Sequence, residues 1–248
     1  MLKNRNIIFG IRPILEAVNS GKDIDKVLIQ RSTNNPLIKE LHLALKNASV
    51  PFQYVLPDKL KAWNSKNHQG VVAFLSEITY YNIEDVIQQV YEKGDDPFVL
   101  VLDHITDVRN FGALARTAEC AGVHALVIPE KGAASINADA IKSSAGALLK
   151  IPVCRSKNLV NTIKSLKDNG LQIISASEKA ENHYYQLNYK IPSALVMGSE
   201  DTGISEPLLQ LSDQIVSIPL AGTIQSLNVS VATGIILFER LKQKVIKK

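Results

Sequence analysis

Cysteine is scarce. Cys120 and Cys154 are the only two in 248 residues, neither belongs to a CxxC pair, and no His/Cys cluster surrounds them. A disulfide framework and a structural zinc site are therefore excluded, and no metal is expected. No run of about 18 apolar residues occurs, so nothing reads as a membrane span. The opening Met1-Leu2-Lys3-Asn4-Arg5-Asn6 leads straight into a short apolar patch without a signal-peptide core, and a cytoplasmic protein is expected. A strong charge of either sign is missing too: 28 Lys and Arg against 24 Asp and Glu leave +4. What is present is ordinary globular composition, with 46% hydrophobic and 21% charged residues, enough for a real core and too apolar for disorder.

The small net charge is unevenly spread. Residues 1–75 hold 11 basic and 5 acidic side chains, residues 76–96 hold 1 and 6, and residues 97–248 hold 16 and 13. A basic first segment followed by an acidic one suits a binding module ahead of another domain, although a solvated lysine-rich surface has the same signature.

Hydrophobic periodicity divides the chain in the same places. Residues 7 to 75 read as a small α/β unit, with helices at Pro13 to Val18 and Pro36 to Lys46. Strand-like runs stand at Lys26 to Gln30, Pro51 to Val55 and Val71 to Leu75. The acidic stretch holds a helix, Ile83 to Tyr91, and ends in the loop signal Gly94-Asp95-Asp96-Pro97; residues 76–96 are taken as a linker. Apolar runs then recur at Phe98 to Leu102, Ala125 to Ile128, Gln172 to Ser175, Ala194 to Met197 and Gln214 to Ile218. Helical patterns alternate with them, among them Ala138 to Leu149, and Val229 to Lys244 closes the chain. That alternation predicts an α/β domain over 97–248 with a mostly parallel sheet.

Three polar loops follow strand runs, where open α/β sheets place ligands. In the first, Asn110 is expected at or near the N-cap of a helix beginning around Phe111, with Arg116 in its first two turns. An Asn there is ordinarily just a cap and an Arg ordinarily solvated. The second, Met197-Gly198-Ser199-Glu200-Asp201-Thr202-Gly203, has a carboxylate between glycines but is no dinucleotide fingerprint. In the third, Ser226, Asn228 and Ser230 precede or open the last helix. No Ser/His/Asp triad is visible, and Asp103 with Asp107 is explained by turns as well as by a metal.

Taken together, these loops resemble the SpoU/TrmH family of SPOUT-class RNA ribose 2′-O-methyltransferases, most closely the 23S rRNA guanosine-2′-O-methyltransferase branch. The motifs are Asp107 to Ala118, Leu195 to Gly203, and Ile218 to Ala232 around Ser226-Leu227-Asn228-Val229-Ser230, with Asn67-His68-Gln69-Gly70-Val71 ahead of them. The likeness runs from about Phe9 to Glu239. Two departures stand out: Val108 replaces the usual Pro of the first motif, an expected change in loop stiffness, and Leu149-Lys150 stands where many relatives carry an acidic residue.

The resemblance implies a ribosomal-protein-like RNA-binding domain at 1–75 and a deep trefoil-knotted methyltransferase domain at 97–248. It implies S-adenosylmethionine as cofactor, 23S rRNA as partner, and a homodimer through the knotted domain whose active sites draw on both subunits. Carried over by position, Asn110, Arg116, Glu200, Ser226 and Asn228 are the catalytic candidates. Gly198, Ile218, Leu220, Gly222, Leu227 and Asn228 are the cofactor-binding ones. A tRNA substrate, or a non-catalytic RNA-binding or ribosome-assembly protein with the same fold, is the alternative. A nucleotide-binding oxidoreductase fits the α/β pattern alone.

Overall fold

Two hydrophobic patterns build two units, Met1–Thr79 and Tyr80–Lys248, in a computed structural model that describes residues 6–31, 33 and 35–245. The stretch read for a targeting signal lies, except for Asn6, outside the described residues.

The first unit comprises β1 (Ile7–Phe9), α1 (Ile11–Asn19), β2 (Ile24–Gln30), α2 (Leu37–Asn47), β3 (Phe52–Val55) and β4 (Val71–Leu75). Its sheet order is β1-β4-β2-β3, with β2 and β3 parallel and the other pairs antiparallel. Ile11, Ile14, Leu15 and Val18 stand at helical spacing on α1 and pack with Leu41 and Leu45 of α2 over Val27, Ile29, Val71 and Ala73. The other sheet face is covered by a 3-10 turn, Pro57–Trp63, through Leu60 and Trp63. Helix α1 begins two residues before the expected Pro13, which as its third residue needs no intrahelical acceptor for the N–H it lacks.

The second unit runs β5 (Tyr80–Tyr81), α3 (Ile83–Glu92), β6 (Phe98–Asp103), α4 (Val108–Cys120), β7 (Ala125–Pro129), α5 (Ala138–Ser143), β8 (Val153–Ser156) and α6 (Leu159–Asp168). It continues through β9 (Gln172–Ala176), β10 (Ser193–Gly198), α7 (Glu206–Leu209) and β11 (Gln214–Val216) to α8 (Val229–Val245). All seven strands are parallel, in the order β11-β9-β10-β6-β7-β8-β5. Every residue of β6 and β10 is buried, as the unbroken apolar runs predict for strands covered on both faces. From β6 the chain builds β7 and β8 outward, crosses over to β9, and returns as β10 beside β6. Strand order reverses at the β6/β10 boundary, so the loops leaving their carboxyl ends diverge around a crevice.

Beyond shifted helix starts and two short strands, the structure differs from the sequence reading in the acidic stretch and in the helix expected after β7. From Tyr80 onward the acidic stretch belongs to the second unit: β5 pairs with β8, and Ile83, Val86 and Ile87 of α3 enter its core. Net charge marked α3's exposed face and concealed its apolar stripe. The single helix expected over Ala138 to Leu149 is α5 followed by a 3-10 turn, Ala147–Leu149, because Ala145 and Gly146 take left-handed backbone at φ 51° and 83°.

Candidate active site

The crevice is assembled from the last residues of β6 and β10. Asp103 ends β6, in register with Gly198 of β10, and is only 1% exposed. Its Oδ2 accepts the Ser205 N–H at 2.8 Å and its Oδ1 lies 2.5 Å from His104 Nδ1, so one buried carboxylate ties together the loops that follow both strands. The loop after β10 is tight. A Cβ on Gly198 would stand 2.1–2.3 Å from the backbone of Gly203 and Ile204, and the Gly203 N–H returns to the Ser199 carbonyl at 2.9 Å. Gly198 is therefore required by its own loop.

Helix α4 starts at Val108, three residues earlier than expected. Asp107 is its N-cap, accepting from the Arg109 and Asn110 N–H groups at 2.8 Å each. With capping done by Asp107, the Asn110 side chain is free to reach across the crevice. Its Nδ2 donates to Glu200 Oε1 at 3.2 Å and its Oδ1 accepts from Asn228 Nδ2 at 3.1 Å. Asn228 Nδ2 also donates to Glu200 Oε1, which takes the Val229 N–H at 3.3 Å as well. One carboxylate oxygen thus gathers three donors from two segments, the start of α4 and the start of α8, and its negative charge sits at the amino end of α8, where the helix dipole favours it. Asn228 Oδ1 meanwhile accepts the Ser230 N–H at 3.0 Å, so the same side chain holds the entry to α8 and the network.

Beside the network lies a cleft of about 360 Å³. Gly198, Glu200, Ile218, Leu220, Ser226 and Leu227 line it. Among the described residues, no backbone N–H or C=O from Ile218 through Leu227 joins a backbone hydrogen bond. The segment presents apolar side chains together with uncommitted peptide groups, a donor set that suits a ligand with both an apolar body and hydrogen-bonding edges.

Two expected residues stand apart. Arg116 is exposed on α4 and makes no hydrogen bond or ion pair among the described residues. Gly222 is exposed, and a Cβ there would meet nothing within 4 Å. Sequence reasoning overlooked Ser177, Glu178 and Lys179, which follow β9 and line the cleft. The rule that ligands gather at strand ends applied to β9 as well, but this loop lacks the glycines that drew attention to its neighbour. Among the described residues no group of three or more His, Cys, Asp or Glu is placed to hold a metal ion, and no helix is long and apolar enough to cross a membrane.

Residues 97–238 match the SpoU rRNA Methylase family, and residues 7–81 match the family described as RNA 2′-O ribose methyltransferase substrate binding. The chain is 38% identical to the 23S rRNA (guanosine-2′-O-)-methyltransferase RlmB of Yersinia pestis over 86% of this chain and 85% of that one. It is 33% identical to the enzyme of the same name from Neisseria meningitidis serogroup B, over 99% and 98% of the two chains. The SpoU methyltransferase AviRb from Streptomyces viridochromogenes, solved in complex with AdoMet, superposes with a TM-score of 0.62 at 25% identity, covering 98% of this chain and 95% of that one.

Proposed function

The chain belongs to the SpoU rRNA methylase family, and from that premise we propose that it uses S-adenosylmethionine to methylate the ribose 2′-OH of a guanosine in 23S rRNA. The observation that carries this reading is the Asn110–Glu200–Asn228 network beside the cleft at the β6/β10 boundary. The family's trefoil-knotted path goes with it, as does a cytoplasmic location.

S-adenosylmethionine supplies, when bound, a methyl group on a sulfonium. Ile218, Leu220 and Leu227 would hold it through their peptide groups and apolar side chains, with Gly198 shaping the cleft wall and Gly222 and Asn228 nearby. Ser226, exposed at the cleft edge, offers a hydroxyl on the open side. Glu200 is an orienting group: with one oxygen occupied by donors from Asn110, Asn228 and Val229, its work is to fix the two amides. Arg116 has its full donor fork available. A guanidinium is always protonated at physiological pH, so it is no free-standing base. It grips the target phosphate and stabilises the alkoxide that develops on the 2′-oxygen, while the proton leaves through water or a neighbouring group.

A homodimer formed through α8 accompanies this reading. Val231 and Phe238, seven residues apart on one helix face, are 52% and 48% exposed, and Ile224 just ahead is 77% exposed. Exposed apolar side chains of this size are costly to leave in water when they gather in one patch.

The test is deletion of the gene followed by mapping of 2′-O-methyl groups across rRNA and tRNA. Loss at one 23S rRNA guanosine is expected. Loss at a tRNA position with rRNA unchanged overturns the substrate, and loss at neither overturns the reaction. Arg116→Lys, which keeps the charge and loses the fork, is expected to lower turnover at least about tenfold.

A further inference from the structure

Strand direction sorts the charges of the first unit. Phe9 pairs with Val72, Gln30 with Val55, and Ile29 with Val71, so the chain leaves β1, β2 and β3 and enters β4 at one end of the sheet. The connections at that end carry Arg12, Arg31, Lys59, Lys61 and Lys66 against a single carboxylate, Asp58, which Lys61 neutralises at 2.8 Å. Arg12, Arg31, Lys59 and Lys66 are exposed and form no ion pair among the described residues. The opposite end carries Lys22, Lys26 and Lys46 with Asp23, Asp25 and Glu77, a balanced surface. Among the described residues, the excess of the basic segment is therefore concentrated at one end.

That end is also built tightly. The Gly10 N–H bonds the Val71 carbonyl at 3.1 Å and the Gln30 N–H bonds the Gly70 carbonyl at 2.8 Å, which draws the segments bearing Arg12 and Arg31 onto the His68-Gln69-Gly70 turn. A Cβ on Gly70 (φ +77°) would come within 2.2 Å of Thr33 Oγ1, so only glycine permits the approach. His68 Nδ1 accepts the Gly70 N–H at 3.0 Å. The ring proton is thereby placed on Nε2, whose nearest partner, Asn64 Oδ1, is a distant 3.5 Å away. Where β3 ends, Tyr54 is 41% and Leu56 60% exposed, apolar surface on which an unpaired base can rest.

We propose that this end of the first unit's sheet is its RNA-gripping face, with Arg12 and Arg31 on backbone phosphates and His68 Nε2–H as a neutral donor between them. The inference rests on the RNA methyltransferase reading above and adds which face and which residues make the contact. Guanidinium forks match phosphate oxygens, and two cations without internal partners lose no ion pair on binding. A folded unit that spends a glycine-only contact to hold both arginines to one turn presents them as a fixed pair.

The experiment compares two double variants of the full chain that remove equal charge: Arg12→Gln/Arg31→Gln at the proposed face and Lys22→Gln/Lys26→Gln at the opposite end. Affinity for unmodified, in vitro transcribed 23S rRNA is measured across salt concentrations, with thermal melting as the control for folding. The arginine pair is expected to bind about tenfold or more weakly, and the slope of log affinity against log salt is expected to shrink by roughly 1.5, since each phosphate contact contributes about 0.7–0.9. The lysine pair is expected to match wild type. Equal losses in both variants, or none in either, overturn the assignment of the face while leaving the enzyme reading intact. A wild-type chain that neither binds nor methylates the RNA overturns both. If the arginine pair melts early, single His68→Asn decides: its Oδ1 keeps an acceptor for the Gly70 N–H while no group stands where Nε2–H donates, and unchanged affinity there sinks the proposal.

Discussion

At the carboxyl ends of β6 and β10, polar side chains bond to one another across loops beside solvent; at the amino end of β6, one cation is buried and lies on an aromatic ring. Glu200 and Asn228 are exposed and Asn110 is half-buried, and the three are linked through a single carboxylate oxygen. Arg240 of α8, by contrast, is 3% exposed, its guanidinium carbon 4.0 Å from the centre of the Phe98 ring and its Nε without a partner among the described residues. Burial pulls that guanidinium down to about 10, against the pull of Asp96, and it remains charged at neutral pH. One end spends its polar groups on geometry in contact with solvent. The other uses a charged side chain as packing material. The contrast assigns chemistry to one end and stability to the other.

The largest test is at the packing end. Arg240→Ala removes a buried stem and a desolvated cation–π contact and is expected to cost roughly 2–4 kcal/mol, with a melting midpoint lower by about 4–16 °C for a chain of this length. Arg240→Met keeps the volume and drops the buried charge, so it is expected to stay within about 1 kcal/mol of wild type. Methyl transfer at 25 °C is expected to be unchanged in the methionine variant. A large turnover loss there erases the division between the ends.

Glu200→Ala is the reciprocal case. Without the shared acceptor the two amides lose their alignment, and single-turnover methyl transfer is expected to fall about 100-fold, equivalent to about 2.7 kcal/mol of barrier. Because the residue is exposed, the melting midpoint is expected to move by no more than about 2 °C. Glu200→Gln keeps an acceptor oxygen and loses the charge at the start of α8, and should fall between alanine and wild type. A midpoint that collapses in the alanine variant makes Glu200 a structural tie.

Gly198→Ala sharpens the comparison, since Gly198 lies at the chemical end but its constraint is one of packing. With Gly203 and Ile204 backbone atoms within 2.3 Å of the added carbon, the loop has to shift, at a cost of about 1–3 kcal/mol. Calorimetry with S-adenosylmethionine and a melt should both register the change. A melt that shifts with cofactor affinity untouched places the strain away from the cleft.

The apolar runs made five of the seven strands of the second unit visible, because a strand buried on both faces has no polar residue to interrupt it. Val153–Ser156 and Tyr80–Tyr81 escaped notice: the first is four residues long with Arg155 inside it, the second only two at the sheet edge. Asn110, Glu200 and Asn228 were found through resemblance. Spacing could not have joined them, since the three are brought together by strand order and by a loop that folds back on itself. Asp107 was visible as a turn residue, but its place as the cap depended on where α4 begins, which the glycine at 112 obscured. Ser177 to Lys179 were passed over because their loop has no unusual composition. Charge counting located the basic segment and missed the core-facing stripe of α3.

The smallest expected effect returns to the packing end and is read against pH. His124, just before β7, accepts the Phe98 N–H on Nδ1 at 3.0 Å, a bond that an imidazolium cannot accept. Burial lowers its pKa below the ordinary 6.5, Arg240, Lys244 and Lys93 lower it further, and Asp95 opposes them. In the unfolded chain the ring takes its proton at the ordinary value, so below that pH the unfolded state holds a proton that the folded state refuses. The contribution is therefore complete above about pH 6.5 and is lost as pH falls through that value toward the lower pKa of the folded chain. His124→Gln supplies a non-titrating acceptor for the same N–H. Melting midpoints at pH 7.5 and 5.5 are expected to drop less in this variant than in wild type. Equal drops would assign the acid sensitivity to other groups and leave Arg240 on Phe98 as the packing end's main charged feature.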